Sequence, residues 1–220
     1  MSVARDLWCR NPACGEPAAA SHAAAQAALA YLVAAVRFRH KEPEAAMREA
    51  VRAAQAAVCA VPFRRAGEEE LPATTLVAAL IENGVATIGW VGDSRAYFVS
   101  DTHAWRLSQD DTWATEQVEL GLMPEEEAMA DPRAHALTRW LGDQDGELHP
   151  SVCTFSIPSG GCVLLCSDGL WNYAPSPGRM RELVMQFPGD ATAVDVARGL
   201  TEFARSAGGA DNITVAVAFV

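Results

Sequence analysis

Three aspartates stand where carboxylates commonly do chemistry. Val163-Leu164-Leu165-Cys166 is a short apolar run without polar alternation, and it reads as a strand buried on both faces. It stops at Ser167-Asp168-Gly169. An aspartate at the end of a buried strand, followed by a permissive glycine, is well placed as a metal ligand or catalytic carboxylate. Asp-Gly is also an ordinary turn pair, so this site alone does not decide between the two. The stretch Val85 to Val91 ends in the same manner, at Gly92-Asp93-Ser94-Arg95. Near the C-terminus, Asp211-Asn212 precedes the strand-like tail Ile213 to Val220. Gathered in space, Asp93, Asp168 and Asp211 would bind a hard divalent cation such as Mg²⁺ or Mn²⁺.

The elements that must position them follow from the pattern. An alanine-dense segment from Ala18 to about Phe38 favours helix, with Ser21 as a candidate cap. Glu42-Pro43-Glu44 opens a second helix to about Val61. Thr74 to Ile81 and Val85 to Val91 flank the turn Glu82-Asn83-Gly84 as a hairpin. Ala96 to Val99 and Ala104 to Leu107 form another. Helical stretches are expected over Trp113 to Leu120, Pro124 to Ala128 and Ala134 to Trp140, with Thr138 and Arg139 pinning the last to the sheet. A strand is expected at Ser151 to Ile157, then helices over Ser176 to Phe187 and Ala191 to Ala207. This order fits an α+β domain with helices covering antiparallel sheets, and not a βαβ array.

The length of 220 residues is most simply one domain, 1–220, with an irregular segment over residues 1–17. The net charge is −11, from 17 basic and 28 acidic residues, which argues against nucleic acid as a partner. No uninterrupted apolar run reaches the length of a membrane span, and the first residues lack the apolar centre of a signal peptide. Of the six cysteines, Cys162 and Cys166 lie along one strand and read as buried free thiols. The Cys9–Cys14 spacing is not that of a usual zinc pair. A reducing, cytoplasmic compartment is expected.

Several short motifs occur together in one order: Thr74-Thr75-Leu76, Gly92-Asp93-Ser94-Arg95-Ala96-Tyr97, Leu107-Ser108-Gln109-Asp110-Asp111-Thr112, Leu137-Thr138-Arg139-Trp140-Leu141-Gly142, Ser167-Asp168-Gly169-Leu170-Trp171 and Asp211-Asn212-Ile213-Thr214. From about Glu16 to Val220 the chain resembles the bacterial PP2C (PPM) metal-dependent protein serine/threonine phosphatases. The resemblance implies an α-β-β-α sandwich, Mn²⁺ or Mg²⁺ between the sheets, phosphoserine and phosphothreonine proteins as substrates, and a place in bacterial signalling. It implies that Asp168 bridges or ligates the first metal, that Asp211 is a further ligand of it, and that Asp93 serves a third, weaker site. Residues 108–135 would lie around the family's flap. The indole rings of Trp113, Trp140 and Trp171 read as core.

The beginning of the chain departs from that family. Members carry two strands with a Glu-Asp pair and an Asp-Gly turn before the first long helix, and neither pattern occurs upstream of Ala18. The family's phosphate-binding arginine finds only Arg5 and Arg10 as candidates. An N-terminally shortened sandwich is therefore expected. Its open sheet edge could take a partner chain or a second copy. The resemblance supports two readings: a phosphatase using metal-activated water, or a catalytically impaired domain that binds a phosphoprotein or partner chain.

Overall fold

The computed structural model describes residues 17–38, 41–62, 71–143 and 148–220. Helices α1 (Pro17–Phe38) and α2 (Pro43–Cys59) come first. Strands β1 (Leu76–Glu82), β2 (Val85–Val91), β3 (Arg95–Ser100) and β4 (Ala104–Arg106) follow as consecutive hairpins. Helices α3 (Trp113–Glu119) and α4 (Glu125–Ala130) precede β5 (Ser151–Ser156) and β6 (Gly161–Cys166). The chain closes with α5 (Asp168–Trp171), α6 (Pro177–Val184), α7 (Ala193–Ser206) and β7 (Val215–Phe219).

The strands form two antiparallel sheets, β1-β2-β5 and β4-β3-β6-β7. Alternation along each strand sorts its residues between two layers. Ala86, Ile88 and Trp90 of β2 meet Ala96 and Phe98 of β3 and Val163 of β6 in a core between the sheets. The opposite face of the first sheet packs Leu76 and Val91 against Met47 and Val51 of α2 and a row of small residues on α1. The opposite face of the second sheet packs Tyr97, Val99 and Leu164 against Leu170, Met180 and Leu200 of the C-terminal helices. The layers therefore run α-β-β-α, as expected from the sequence.

Several expectations are corrected. Helix α1 begins at Pro17, so Ser21 lies inside the helix and does not cap it. Residues 134–140 form turns, not a helix. The last strand starts at Val215, because Ile213 and Thr214 belong to the turn that approaches Ser167. By length and composition alone, Ala19–Phe38 is apolar enough to cross a membrane, since alanine raises its mean hydropathy to 1.4. Its Ala20, Ala24, Ala28 and Leu32, one turn apart, are instead buried in the core shared with α2.

Among the described residues, β1 and β7 each end their sheet with one unpaired edge. Both edges line a groove of about 280 Å³ roofed by α1, with Leu29, Val33, Leu80, Leu165, Ala216 and Ala218 in its walls.

The second sheet also explains the thiols. Cys162 and Cys166 face the outer core and are buried, which pushes Cys162 up to about 11 and Cys166 higher still. Cys59 and Cys153 are exposed. At about pH 8 a thiol reagent is expected to modify Cys59 and Cys153 in the native protein, and Cys162 and Cys166 only after denaturation, because the thiolate is the reactive form. Peptide mapping of the labelled protein checks this.

Candidate metal centre

Strand pairing brings the acidic turns to one end of the second sheet. In the β3–β6 ladder Arg95 pairs with Cys166, so Asp93 and Asp168 each lie two residues beyond that pair. In the β6–β7 ladder Cys166 pairs with Val215, which sets the Asp211 turn beside the Asp168 turn.

Ser167 joins those two turns. Its hydroxyl donates to the Asn212 carbonyl at 2.9 Å and accepts from the Thr214 amide at 3.0 Å. Its own amide donates to the Thr214 carbonyl at 3.1 Å. Gly169 permits the close approach, because a Cβ there would collide with the Asn212 carbonyl. Each carboxylate is oriented by the following amide: Gly169 donates to Asp168 Oδ1 at 2.9 Å and Asn212 to Asp211 Oδ1 at 2.6 Å.

The Asp93 turn is held from other directions. Gly92, at φ 97°, adopts the left-handed conformation that the turn requires. Its amide donates to Asp111 Oδ2 at 2.8 Å, and its carbonyl accepts from the Asp111 amide at 3.0 Å. Arg139 bonds the other oxygen of Asp111, and the Thr138 amide donates to the Asp111 carbonyl. These residues thus secure a loop, where a helix pinned to the sheet was expected. The Ser94 hydroxyl lies 2.8 Å from that of Thr75. The Trp171 indole donates to the Asp93 carbonyl at 2.9 Å.

The electrostatics are unbalanced. Asp93 is half-buried and is pushed up to about 6, first by burial and then by the charges of Asp168 and Asp110. Asp168 is raised by burial and then by Asp211. The guanidinium of Arg95 is occupied elsewhere: it donates to Asp110 at 2.7 Å, and Arg106 bonds the same carboxylate. A cluster of repelling carboxylates suits a hard cation by donor chemistry. Among the described residues, however, no group of three or more acidic, histidine or cysteine side chains closes into a metal cage. Asp168 lies within electrostatic reach of each of the other two.

The sequence singled out Asp93, Asp168 and Asp211, and their turns share this end of the fold. In the sequence Asp110 and Asp111 stood only as part of the Leu107–Thr112 motif, with no role of their own. Both are buried, one in an ion-pair network and the other as an acceptor for Gly92 and Arg139. Trp171 is buried as expected, yet its polar atom has a specific partner in the site.

Residues 15–205 match protein phosphatase 2C, and the chain belongs to that family. It is 35% identical over 144 residues to protein phosphatase PhpP of Streptococcus pneumoniae, covering 66% of this chain and 56% of that protein. The chain thus spans little more than half the length of that relative. The structure of the phosphatase MsPP from Mycobacterium smegmatis in complex with cacodylate matches with a TM-score of 0.65 and 31% identity, over 90% of this chain and 82% of that one. The catalytic domain of PstP in complex with two manganese ions matches with a TM-score of 0.62 and 30% identity, over 87% of this chain and 80% of that one.

Two outcomes are expected from the geometry. Asp93 has a folded value near 6 against an ordinary 3.8. Its protonated form therefore favours folding: that contribution is complete below about 3.8 and is lost as the pH rises through about 6. In chelator, D93N should stabilise the fold at neutral pH by roughly 1–2 kcal/mol after discounting for solvent access, seen as a higher Tm, and the gain should vanish near pH 4. Thermal melts across pH test it. G169A should cost about 1–3 kcal/mol by forcing α5 away from the Asn212 turn, as denaturant unfolding would report.

Proposed function

We propose that this chain is a metal-dependent phosphoprotein phosphatase core, acting in the cytoplasm of a bacterial cell on phosphoserine and phosphothreonine proteins. The observation that carries the reading is Asp168, half-buried, repelled by Asp211 and itself repelling Asp93, with the nearby Arg95 guanidinium bound to Asp110. Family membership and the likeness to manganese-containing PstP support it. Asp168 and Asp211 would hold Mn²⁺ or Mg²⁺, with Asp93 contributing through its neighbour Asp168. When bound, such a cation lowers the pKa of a water and offsets phosphoryl charge.

The chain's own residues have definable roles in that chemistry. The carboxylates offer the oxygen that the following amide does not take. Ser167 and Gly169 hold the Asp168 and Asp211 turns in contact. Asp111 with Arg139 holds the Asp93 turn, and Arg95 braces the strand behind it through Asp110.

One observation favours a second reading, a binding domain of low catalytic power. The edges of β1 and β7, unpaired among the described residues, face a common apolar groove, a place where an added strand from another chain would find backbone partners and apolar contacts. The same edges could serve self-association.

Calorimetric titration with MnCl₂ separates the readings from an empty site. Binding should weaken at least about tenfold in D168N and in D211N, since each loses a charged oxygen ligand. Unchanged affinity in both variants would sink the metal assignment. Turnover of a phosphothreonine peptide should require Mn²⁺ and fall at least about a hundredfold in D168N. Mn²⁺ binding without turnover, joined to self-association that Val33→Asp abolishes, would favour the second reading.

A further inference from the structure

We propose that Trp171 is a positioning residue, whose indole N–H ties the Asp93 turn to the turn that carries Asp168 and so sets the spacing between these carboxylates. The inference rests on the reading of those aspartates as a cation site, and it concerns a residue that neither that reading nor the strand pattern requires.

The β3–β6 ladder ends at the Arg95–Cys166 pair, two residues short of both aspartates. Beyond it the chains leave the sheet in different directions, one into a loop and the other into α5. Asp93 and Asp168 repel each other, so separation of the two turns would relieve strain between their charges. A tie is needed to oppose it. Trp171 lies three residues after Asp168 on the single turn of α5, hence on the same side of it. Its Nε1 reaches across to the Asp93 carbonyl at 2.9 Å.

The ring that carries this donor is itself fixed. Trp171 is only 4% exposed and belongs to the outer core with Leu170, Met180 and Leu200. The Arg95 guanidinium lies 3.5 Å above the ring. Arg95 is in turn anchored by Asp110 at 2.7 Å and by the Pro175 carbonyl at 3.3 Å. Indole is a donor only, so its N–H has one use here, and a buried unpaired N–H would be costly. Phenylalanine would keep the aromatic face for Arg95 and most of the packing, but would lose the tie.

The test is W171F beside wild type and D168N, in the full chain. In chelator, amide exchange of Gly92 should accelerate in W171F, while Val163 and Leu164 in the centre of β6 keep their protection. Calorimetry with MnCl₂ should give an affinity about threefold to tenfold weaker in W171F, the range that loss of one hydrogen bond spans. In ¹⁵N-labelled wild type, the indole resonance that W171F lacks should shift on titration with MgCl₂, and this shift should be absent in D168N. Unchanged Gly92 exchange with unchanged Mn²⁺ affinity overturns the proposal. So does exchange that accelerates equally throughout β6, which would mark Trp171 as a packing residue alone. If D168N binds Mn²⁺ as wild type does, the cation reading falls, and Gly92 exchange in chelator still decides whether Trp171 positions the turn.

Discussion

Antiparallel pairing of β3 with β6 is the constraint on which the site depends. A single register, with Arg95 opposite Cys166, carries two acidic turns to one end of a sheet. Pairing of β6 with β7 then adds the third. A slip by one residue would move Val163 and Leu165 from the inter-sheet layer to the helix layer and take the turns out of line. The alternation of buried residues on both faces of β6 therefore protects the site as well as the core, since a slip would place every side chain of the strand in the wrong layer.

Charge is arranged with the same economy. Three carboxylates, Asp110, Asp111 and Asp93, lie within a short reach of one another, but their partners differ. Asp110 takes two guanidinium groups, those of Arg95 and Arg106. Asp111 takes Arg139 and the Gly92 amide. Asp93 takes neither Arg95 nor Arg106 as an ion-pair partner and is left with a raised pKa. Buried ion pairs are poor sources of stability, because desolvation offsets much of their attraction. Their effect here is selective: they occupy the nearby cationic side chains, so that Asp93 keeps no guanidinium partner among the described residues.

Much of the layer order was legible in the sequence, because it follows from local period. The Glu82-Asn83-Gly84 turn, the β-branched runs and the helical spacing of α7 each point to one conformation, and the structure adopts them. The acidic turns were legible for a similar reason: each interrupts an apolar run. What could not be read was long-range. Residues 134–140 carry helix-compatible residues, but the Asp111 carbonyl and carboxylate claim the Thr138 amide and the Arg139 guanidinium, and the segment becomes a bridge. The mean hydropathy of α1 likewise depended on alanine, whose small size serves close helix packing. Periodicity reports which face is apolar, and it is silent on which distant donor will meet a given carbonyl.

Trp171 has one edge at the Asp93 turn and its body among the side chains under α6 and α7. The end of the sheet that bears the acidic turns and the outer core therefore have a member in common. In such a molecule the acidic turns cannot soften independently of the helices behind them. Substitutions on the buried stripe of α7, at Leu200 or Val196, act through packing on the ring and reach the acidic turns without touching them. Heating would loosen the acidic turns and the outer core in one cooperative unit, so the turns should separate as the molecule melts and not in an earlier step of their own.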